Sequence, residues 1–402
     1  MKADLDELAI FGGEPAFEAP LHVGRPYIGD REAVLAELGG VLDRKWLTNN
    51  GPRVQEFEQR LADFLGVQHC VTTCNGTIAL HLASRALGLT GEVVVPSFTF
   101  VATVHALAWQ GLRPVFCDVD PETHNLDPAA AEKLIGEDVS GIVGVHLWGR
   151  PCDVEGLSEL AERRGLKLLF DSAQAFGCSH DGRMIGAFGD AEVLSFHATK
   201  VFNTFEGGAI TTDDDEIADR ARLMRNFGFA DYDDVIYLGI NGKMTEISAA
   251  MGLASLEALD GFIEANRVNY EAYRSGVANI PGLSILSQDA DGERRNYHHI
   301  VLDVEERDAG VSRDVIHRVL WAENVLARRY FFPGVHRMEP YRSKMPNAGS
   351  WLPVTEELAT RTLAMPTGGD LGADAVARIC ELLETVVRGG PAITERIAAL
   401  AD

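Results

Sequence analysis

From about residue 70 onward, short apolar runs alternate with stretches of helical periodicity, and this alternation limits the possible folds more than any other feature of the chain. Strands that are separated by helices pair in parallel, and the helices then cover both faces of the sheet. The pattern therefore predicts an α/β fold with a mostly parallel central sheet. The predicted strands are 92–95, 114–117, 141–145, 166–170, 193–196 and 208–211.

Capping residues mark the starts of the helices between these strands. Asp127 precedes a proline, which favours the first position of a helix, and Asp153 can cap a helix that ends at Gly165. A long helical stretch follows Thr245 and is expected to leave the large domain near residue 260. The chain thus begins a second unit beyond that point.

The pattern changes in the last third of the chain. Alternation over 296–304 predicts a strand, and helical periodicity over 311–323 and 374–387 predicts two helices. Together these elements indicate a smaller α+β domain. The sequence therefore predicts an N-terminal arm over 1–50, a large domain over 51–260 and a small C-terminal domain over 261–402.

The charge balance excludes some classes of partner. The formal net charge of −24 over 402 residues repels nucleic acid and anionic membranes, so we expect neither as a partner. The N-terminus does not resemble a secretion signal, and six scattered cysteines are typical of reduced thiols. Cys70 and Cys74 lack a second ligand pair at zinc spacing, so we expect a cytoplasmic protein without a metal site.

A turn rich in small residues precedes a predicted helix at Ile78. It contains Asn75, Gly76 and Thr77, and the free backbone N–H groups at such a helix start can bind a phosphate. A plain helix cap explains the same residues equally simply. The turn alone therefore leaves both interpretations open.

Asp171 follows directly after the apolar run 166–170, and Gln174 comes three positions later. Ligands of open α/β sheets bind at the carboxyl ends of the strands, which is where this carboxylate is expected. The sequence indicates either a ligand or metal contact at Asp171, or a cap for the following turn.

Lys200 comes just after the predicted strand 193–196, close behind Ser195 and His197. Most lysines are solvated surface charges. A lysine at the mouth of a strand can instead be desolvated, which lowers its pKa and lets the amine attack carbonyl groups. His197 by itself is typical of a structural histidine, and Glu206-Gly207-Gly208 marks either a tight bend or a close backbone approach.

Two common nucleotide motifs are missing from the sequence. No G-x-G-x-x-G follows a predicted strand, and no Walker A lysine is present. Nicotinamide chemistry and nucleoside triphosphate chemistry are therefore disfavoured.

Several further motifs occur in a fixed order, and together they closely resemble the sugar aminotransferase family named after DegT. This family belongs to the fold-type-I, aspartate aminotransferase-like enzymes that use pyridoxal 5′-phosphate (PLP). The resemblance covers nearly the whole chain. Its motifs are at 46–52, 57–58, 75–77, 96–100, 171–174, 195–200, 206–208, 241, 244–246 and 365–367.

The resemblance implies a role for each matching residue. Lys200 would carry PLP as a Schiff base and move the proton of the reaction, while Asp171 would hold the pyridine nitrogen protonated. Gln174 would bind the phenolic oxygen of the ring, and Phe100 would stack on its face. Phosphate binding would fall to Gly76, Thr77 and Ser195, with Asn241 reaching across from a neighbouring subunit, which implies a homodimer.

The resemblance also implies a substrate class. The segment His197 to Phe202 is similar to members that transfer an amino group from L-glutamate to the C4 ketone of dTDP-4-keto-6-deoxyglucose, giving dTDP-4-amino-4,6-dideoxyglucose. Amination at C3, an inosose substrate, or a PLP-dependent sugar dehydratase are the alternatives on the same scaffold. A PLP-dependent regulator is disfavoured because the chain has no DNA-binding segment. Gly242-Lys243 departs from the family pattern, which leaves the role of Lys243 open.

A cluster of basic and aromatic residues stands out in this acidic chain. Arg328, Arg329, Tyr330 and His336 are candidates to bind the nucleotide sugar, with the arginines meeting its diphosphate. A solvated arginine pair beside a core strand is the alternative. We expect His197, Arg329 and Tyr330 to contact the substrate.

Overall fold

The computed structural model describes residue 2 and residues 4–399. The strands in this part of the chain, in order, are β1 (Leu21–His22), β2 (His69–Thr73), β3 (Glu92–Pro96), β4 (Arg113–Cys117), β5 (Val139–Val145), β6 (Lys167–Asp171), β7 (Ser179–His180), β8 (Arg183–Met184), β9 (Ala191–Ser195), β10 (Gly208–Thr212), β11 (Phe229–Asp231), β12 (Asp234–Val235), β13 (Leu283–Ile285), β14 (Ile300–Val304), β15 (Val325–Leu326) and β16 (Thr362–Met365).

The α-helices of the described residues are α1 (Arg31–Arg44), α2 (Pro52–Leu65), α3 (Gly76–Ala86), α4 (Val101–Ala108), α5 (Pro128–Glu132), α6 (Val154–Arg164), α7 (Asp215–Met224), α8 (Glu246–Val277), α9 (Glu306–Ala309), α10 (Arg313–Ala322), α11 (Tyr341–Lys344), α12 (Pro353–Arg361), α13 (Gly372–Arg388) and α14 (Gly390–Ala399). Short 3₁₀ helices lie at Leu5–Glu7, Ala9–Phe11, Leu147–Gly149, Val335–Arg337 and Ala348–Trp351. None of the helices in this part of the chain combines the length and the apolar character that crossing a membrane requires.

Seven strands form the central sheet, in the order β2-β10-β9-β6-β5-β3-β4. All neighbouring pairs from β9 to β4 are parallel, and β10 is antiparallel to both of its neighbours. The predicted α/β class with a mostly parallel sheet is confirmed. Each predicted strand of the sheet is present, although β6 begins one residue later than predicted and includes Asp171 as its last residue.

Side-chain alternation along the strands divides the sheet residues between its two faces. Leu169 of β6 and Val193 of β9 pack in one apolar cluster with Leu80 of α3. Phe170 and Leu194, each one residue further along, pack in clusters on the opposite face. Because side chains two positions apart share a face, the parity of the strands directs Asp171 and Ser195 toward the α3 side.

A second core lies around the antiparallel sheet β13-β14-β16. Helices α10 and α13 pack on it, together with Leu8 and Phe17 from the N-terminal segment. Helix α8 joins the two cores, since Leu253 packs in the large domain and Tyr273 packs in the second core. The helix thus continues past the predicted boundary at residue 260, and the three-part division of the chain stays a prediction.

The predicted strand 296–304 is wrong over its first four residues, because β14 begins at Ile300. The Asn296 side-chain amide instead donates to the carbonyls of Gln174 (2.8 Å) and Phe176 (3.1 Å). Tyr297 then adopts a positive φ of 50°, which no strand residue has. A side chain that bonds the neighbouring domain therefore replaces the sheet pairing at this point.

The N-cap of helix α2 is Gly51, which has no side chain to cap the helix. The fully buried carboxylate of Glu246, the first residue of α8, accepts the N–H groups of Arg53 and Val54, both at 2.9 Å. A Cβ at Gly51 would lie 2.5 Å from that carboxyl carbon. Gly51 thus makes room for a cap that comes from a distant helix.

We expect Glu246→Ala to lower the free energy of unfolding by about 1–3 kcal/mol, because it leaves two buried N–H groups without an acceptor. Glu257→Ala on the same helix is the matched control, since Glu257 makes only an exposed ion pair with Arg60 and its loss should change stability by less than about 0.5 kcal/mol. Urea unfolding followed by circular dichroism measures both. Equal effects of the two substitutions would contradict the capping role.

Candidate functional site

A cavity of about 590 Å³, here called the site cavity, opens at the carboxyl ends of β6 and β9. It lies where the sheet reaches α3 and α4 on one side and the segment before β14 on the other. The predicted residues that line it are Gly76, Thr77, Phe100, Asp171, Gln174, Ser195, His197, Lys200, Arg328 and Tyr330.

Asp171 is buried, with 5% of its surface exposed, and it is held by two hydrogen bonds. Thr103 of α4 donates to Oδ2 at 2.7 Å, and the backbone N–H of Ala173 donates to Oδ1 at 3.1 Å. Burial raises the pKa of this carboxyl, and the two hydrogen bonds and the charge of Lys200 only partly oppose that rise. A cation beside Asp171 would stabilise its ionised form, so the residue suits a ligand with a protonated nitrogen.

Lys200 lies in the turn that follows β9, and its side chain lines the cavity. Its backbone N–H donates to the His197 carbonyl at 2.9 Å, which fixes the turn. Burial lowers the pKa of the Lys200 amine to about 8, while the Asp171 carboxylate acts to raise it. A larger fraction of this amine is therefore neutral near pH 7 than for an ordinary lysine, and the neutral amine is the form that attacks carbonyls.

Gly76, Thr77 and Ser195 form a small concave surface, here called the phosphate cradle. Gly76 and Thr77 are the first residues of α3, whose N-cap Asn75 accepts the N–H of Ile78 at 2.9 Å. A Cβ at Gly76 would lie 2.8 Å from the Cβ of Ser195, so only glycine lets the helix start approach this strand end. First-turn amides and a serine hydroxyl together suit an anion such as a phosphate.

Gln174 is oriented by the backbone around it. Its Oε1 accepts the N–H of Trp148 at 2.7 Å, so its amide N–H₂ is left to donate to a ligand in the cavity. Its own carbonyl accepts from Asn296. An oxygen atom on the ligand is the group that this arrangement fits.

Four predicted residues stand at the mouth of the cavity. Phe100 is 55% exposed at the start of α4, so its ring is available to stack on a ligand. His197 is exposed as well, with Nδ1 2.8 Å from the Thr199 hydroxyl and Nε2 3.5 Å from Glu206. The Arg328 guanidinium lies 5.8 Å from the centre of the Tyr330 ring, and both residues line the cavity.

Arg329 and Asn241 are not among the residues that line the site cavity. Arg329 is paired with Asp314 at 3.1 Å and lies over the Phe332 ring. It lines a neighbouring depression, here called the outer hollow, together with Phe100, Trp321, Arg328 and Tyr330. Asn241 is exposed and forms an isolated bridge with Asn226.

His336 was a wrong candidate for a substrate contact. Its ring is 1% exposed and lies between the Ser97 hydroxyl (2.7 Å) and the Glu356 carboxylate (2.5 Å). Its two ring nitrogens are therefore already satisfied inside the protein.

Sequence reasoning missed four residues of the site. Thr103 orients Asp171, Trp148 orients Gln174, and His298 and His299 line the cavity directly. Thr103 lies one helical turn after Phe100, so the helix start in motif 96–100 could have indicated it. The adjacent His298 and His299 were hidden because 296–304 was interpreted as one strand.

The profile of the DegT/DnrJ/EryC1/StrS aminotransferase family matches residues 29–384. The chain belongs to this family. The family predicted from the motifs is therefore confirmed. The names of related proteins indicate an activity on sugar nucleotides.

The chain is similar to dTDP-4-amino-4,6-dideoxy-D-glucose transaminase of Shigella dysenteriae, with 38% identity over 92% of this chain and 100% of the relative. It is similar to the GDP-perosamine synthase of Escherichia coli O157:H7, with 35% identity over 85% of this chain and 92% of the relative. The crystal structure of DesI, analysed in the presence of its TDP-sugar product, superposes with a TM-score of 0.94. That structure is 48% identical and covers 98% of this chain and 100% of its own.

In the cofactor-free protein, we expect acylation of Lys200 by a neutral reagent to rise with pH around a midpoint of about 8. Asp171→Asn should move this midpoint to lower pH, because it removes the negative charge that raises the pKa of the amine. Peptide mapping by mass spectrometry across the pH range measures the modified fraction of Lys200. A midpoint at about 10.4, the pKa of an ordinary lysine, would contradict the desolvated environment of Lys200.

Proposed function

We propose that this protein is a PLP-dependent aminotransferase that moves an amino group from L-glutamate to the C4 ketone of a nucleotide-linked 4-keto-6-deoxy sugar. The observation that carries the proposal is the meeting of Lys200, Asp171 and the phosphate cradle in one cavity, in a chain of this aminotransferase family. We take dTDP-4-keto-6-deoxyglucose as the sugar nucleotide, since the Shigella dysenteriae relative is named for a dTDP-sugar and the product of DesI is a TDP-sugar.

The residues of the cavity fit PLP at each of its polar groups. Its phosphate suits the cradle of Gly76, Thr77 and Ser195, and its pyridine nitrogen suits the buried Asp171 carboxylate. The amide N–H₂ of Gln174 would donate to its phenolic oxygen, and Phe100 would cover its ring. PLP, when bound, supplies the electron sink that stabilises negative charge on the substrate carbon.

Lys200 is the proposed acid and base of the reaction. In the first half-reaction its Nζ accepts the proton from the α-carbon of glutamate. The amino group and the electron pair would stay with the cofactor, when bound, and water would release 2-oxoglutarate. In the second half-reaction the same Nζ returns a proton to C4 of the sugar, which receives the amino group. The pKa of about 8 suits both directions because donor and acceptor forms are both populated near neutral pH.

The outer hollow is the proposed location of the nucleotide. It adjoins the site cavity, and the two share Phe100, Arg328 and Tyr330. Arg328 and Arg329 would meet the diphosphate, and the exposed Trp321 ring offers a surface on which a base can stack. The fixed cations of this hollow offset the strongly negative field of the chain, which would otherwise repel an anionic substrate.

We further propose a homodimer in which Asn241 contacts the phosphate of the partner's site. The segment before it, which includes the hairpin β11–β12, exposes Tyr232, Val235, Ile236 and Leu238 by more than half of their surfaces. Large apolar side chains that are exposed together in one segment are typical of an interface. A cytoplasmic location is also proposed, because all six cysteines are free thiols.

A panel of keto-sugar nucleotides, differing in base and in the position of the ketone, tests the activity with L-glutamate as donor. We expect one 2-oxoglutarate per amino sugar with the 4-keto-6-deoxy substrate, and no product with Lys200→Arg, which keeps the charge but cannot exchange protons near pH 7. Mass spectrometry identifies the sugar product. Sugar that is consumed without 2-oxoglutarate would favour a dehydratase, and the absence of any product would overturn the proposal.

Gly76→Ala should raise the dissociation constant of PLP by about 10-fold or more, because the added methyl group fills the cradle and pushes Ser195 away. Gly39→Ala is the matched control, since a Cβ at Gly39 meets nothing within 4 Å. Titration of the cofactor-free proteins with PLP, followed by absorbance, measures both. Unchanged affinity in Gly76→Ala would place the phosphate elsewhere.

A further inference from the structure

His298 and His299 are two buried histidines in the wall of the site cavity that the proposed function does not yet use. They are 3% and 6% exposed, and both line the cavity. Their rings meet edge to face, with centroids 4.9 Å apart, and His299 packs against the Trp148 ring at 5.6 Å. Aromatic contacts therefore help to hold both rings in the wall of the cavity.

Their ring nitrogens include buried atoms that have no hydrogen-bond partner. These atoms are Nδ1 of His298 and both Nδ1 and Nε2 of His299. Buried polar atoms are almost always paired in native proteins, so unpaired atoms in a cavity wall indicate a ligand that pairs with them.

The tautomer of His298 follows from its other contact. Its ring bonds the backbone of Thr199, and this contact acts to raise the imidazole pKa, so the ring donates there to a carbonyl. Because Nδ1 is the unpaired nitrogen, Nε2 carries the hydrogen and Nδ1 is a pure acceptor. Burial and the nearby Lys200 lower the pKa of His298 to about 3 and also lower that of His299, so both rings stay neutral.

The proposed cofactor leaves this pair free for the substrate. Its phosphate, pyridine nitrogen and phenolic oxygen already have partners in the cradle, Asp171 and Gln174. Both histidines line the same cavity as Lys200, and the charge of that amine acts to lower the pKa of each ring.

An acceptor next to a donor matches a hydroxyl group, which both donates and accepts one hydrogen bond. A carboxylate of glutamate can only accept, and the lone pair of His298 Nδ1 would repel it. In a 4-keto-6-deoxy sugar, C4 lies between C5, which carries the methyl group and the ring oxygen, and C3, which carries a hydroxyl. The C3 hydroxyl is therefore the donor–acceptor group nearest to the reacting carbon.

We propose that His298 and His299 together bind the C3 hydroxyl of the keto sugar, with His298 Nδ1 accepting its hydrogen and His299 donating to its oxygen. This inference rests on the proposed function and names the specificity determinant of the second half-reaction. The two residues position the substrate and take no part in proton transfer.

The test compares His299→Leu with His299→Asn, which has a similar size but keeps a donor and an acceptor. In the holoenzyme, His299→Leu should raise the KM for the keto-sugar nucleotide by about 10- to 100-fold, and His299→Asn should restore most of that loss. The glutamate half-reaction, followed by the loss of cofactor absorbance, should be affected far less. Equal damage to both half-reactions, or equal KM values in the two variants, would overturn the inference.

A substrate lacking the C3 hydroxyl gives a second measurement that needs no variant. The wild-type enzyme should prefer the 3-hydroxy sugar over its 3-deoxy analogue by about 10- to 100-fold in kcat/KM, and His299→Leu should lose most of this preference. A wild-type enzyme that aminates both sugars equally well would refute the role of the histidines and leave the proposed function standing. A wild-type enzyme that aminates neither sugar would refute the proposed function itself.

Discussion

The site is organised around one buried carboxylate. Asp171 ends a strand in the middle of the sheet, and the parity of β6 turns its side chain toward α3 and α4 rather than toward the opposite core. Burial makes its charged form unfavourable unless a cation is near, and Thr103 and the Ala173 amide fix its orientation. Lys200, in the turn after the neighbouring strand β9, is desolvated as well. Desolvation lowers the pKa of Lys200, whereas it raises the pKa of Asp171. Asp171 and Lys200 thus give the cavity one acidic and one basic group, and the phosphate cradle and Gln174 line the same cavity.

Much of the fold followed from local patterns. Apolar runs located the strands of the central sheet to within a few residues, because a strand that is buried on both faces has a clear sequence signal. Positions decided by distant contacts could not be predicted in this way. Residues 296–299 alternate like a strand, yet Asn296 bonds carbonyls that are more than a hundred residues away in sequence. The end of α8 also had no local signal in the sequence, because its two ends pack in different cores.

The site shows the same division between local and distant information. Gly76, Asp171, Gln174, Ser195 and Lys200 each lie at the end or start of an element, where the topology brings them to one cavity. Side chains that arrive from elsewhere carry no local signal of their role. Arg329 and His336 belong to one basic and aromatic cluster in sequence, but the first pairs with Asp314 outside the cavity and the second is buried with Glu356.

Helix α8 has a mechanical consequence for the two proposed substrates, which differ greatly in size. Its 32 residues form one uninterrupted rod, about 48 Å long, that is built into both hydrophobic cores. Bending this rod would break backbone hydrogen bonds, so a hinge between the cores is opposed by the helix itself. The helix in this sense favours a rigid frame for the cleft, in which the proposed amino-acid donor and the large nucleotide sugar would be told apart by the chemistry of the walls.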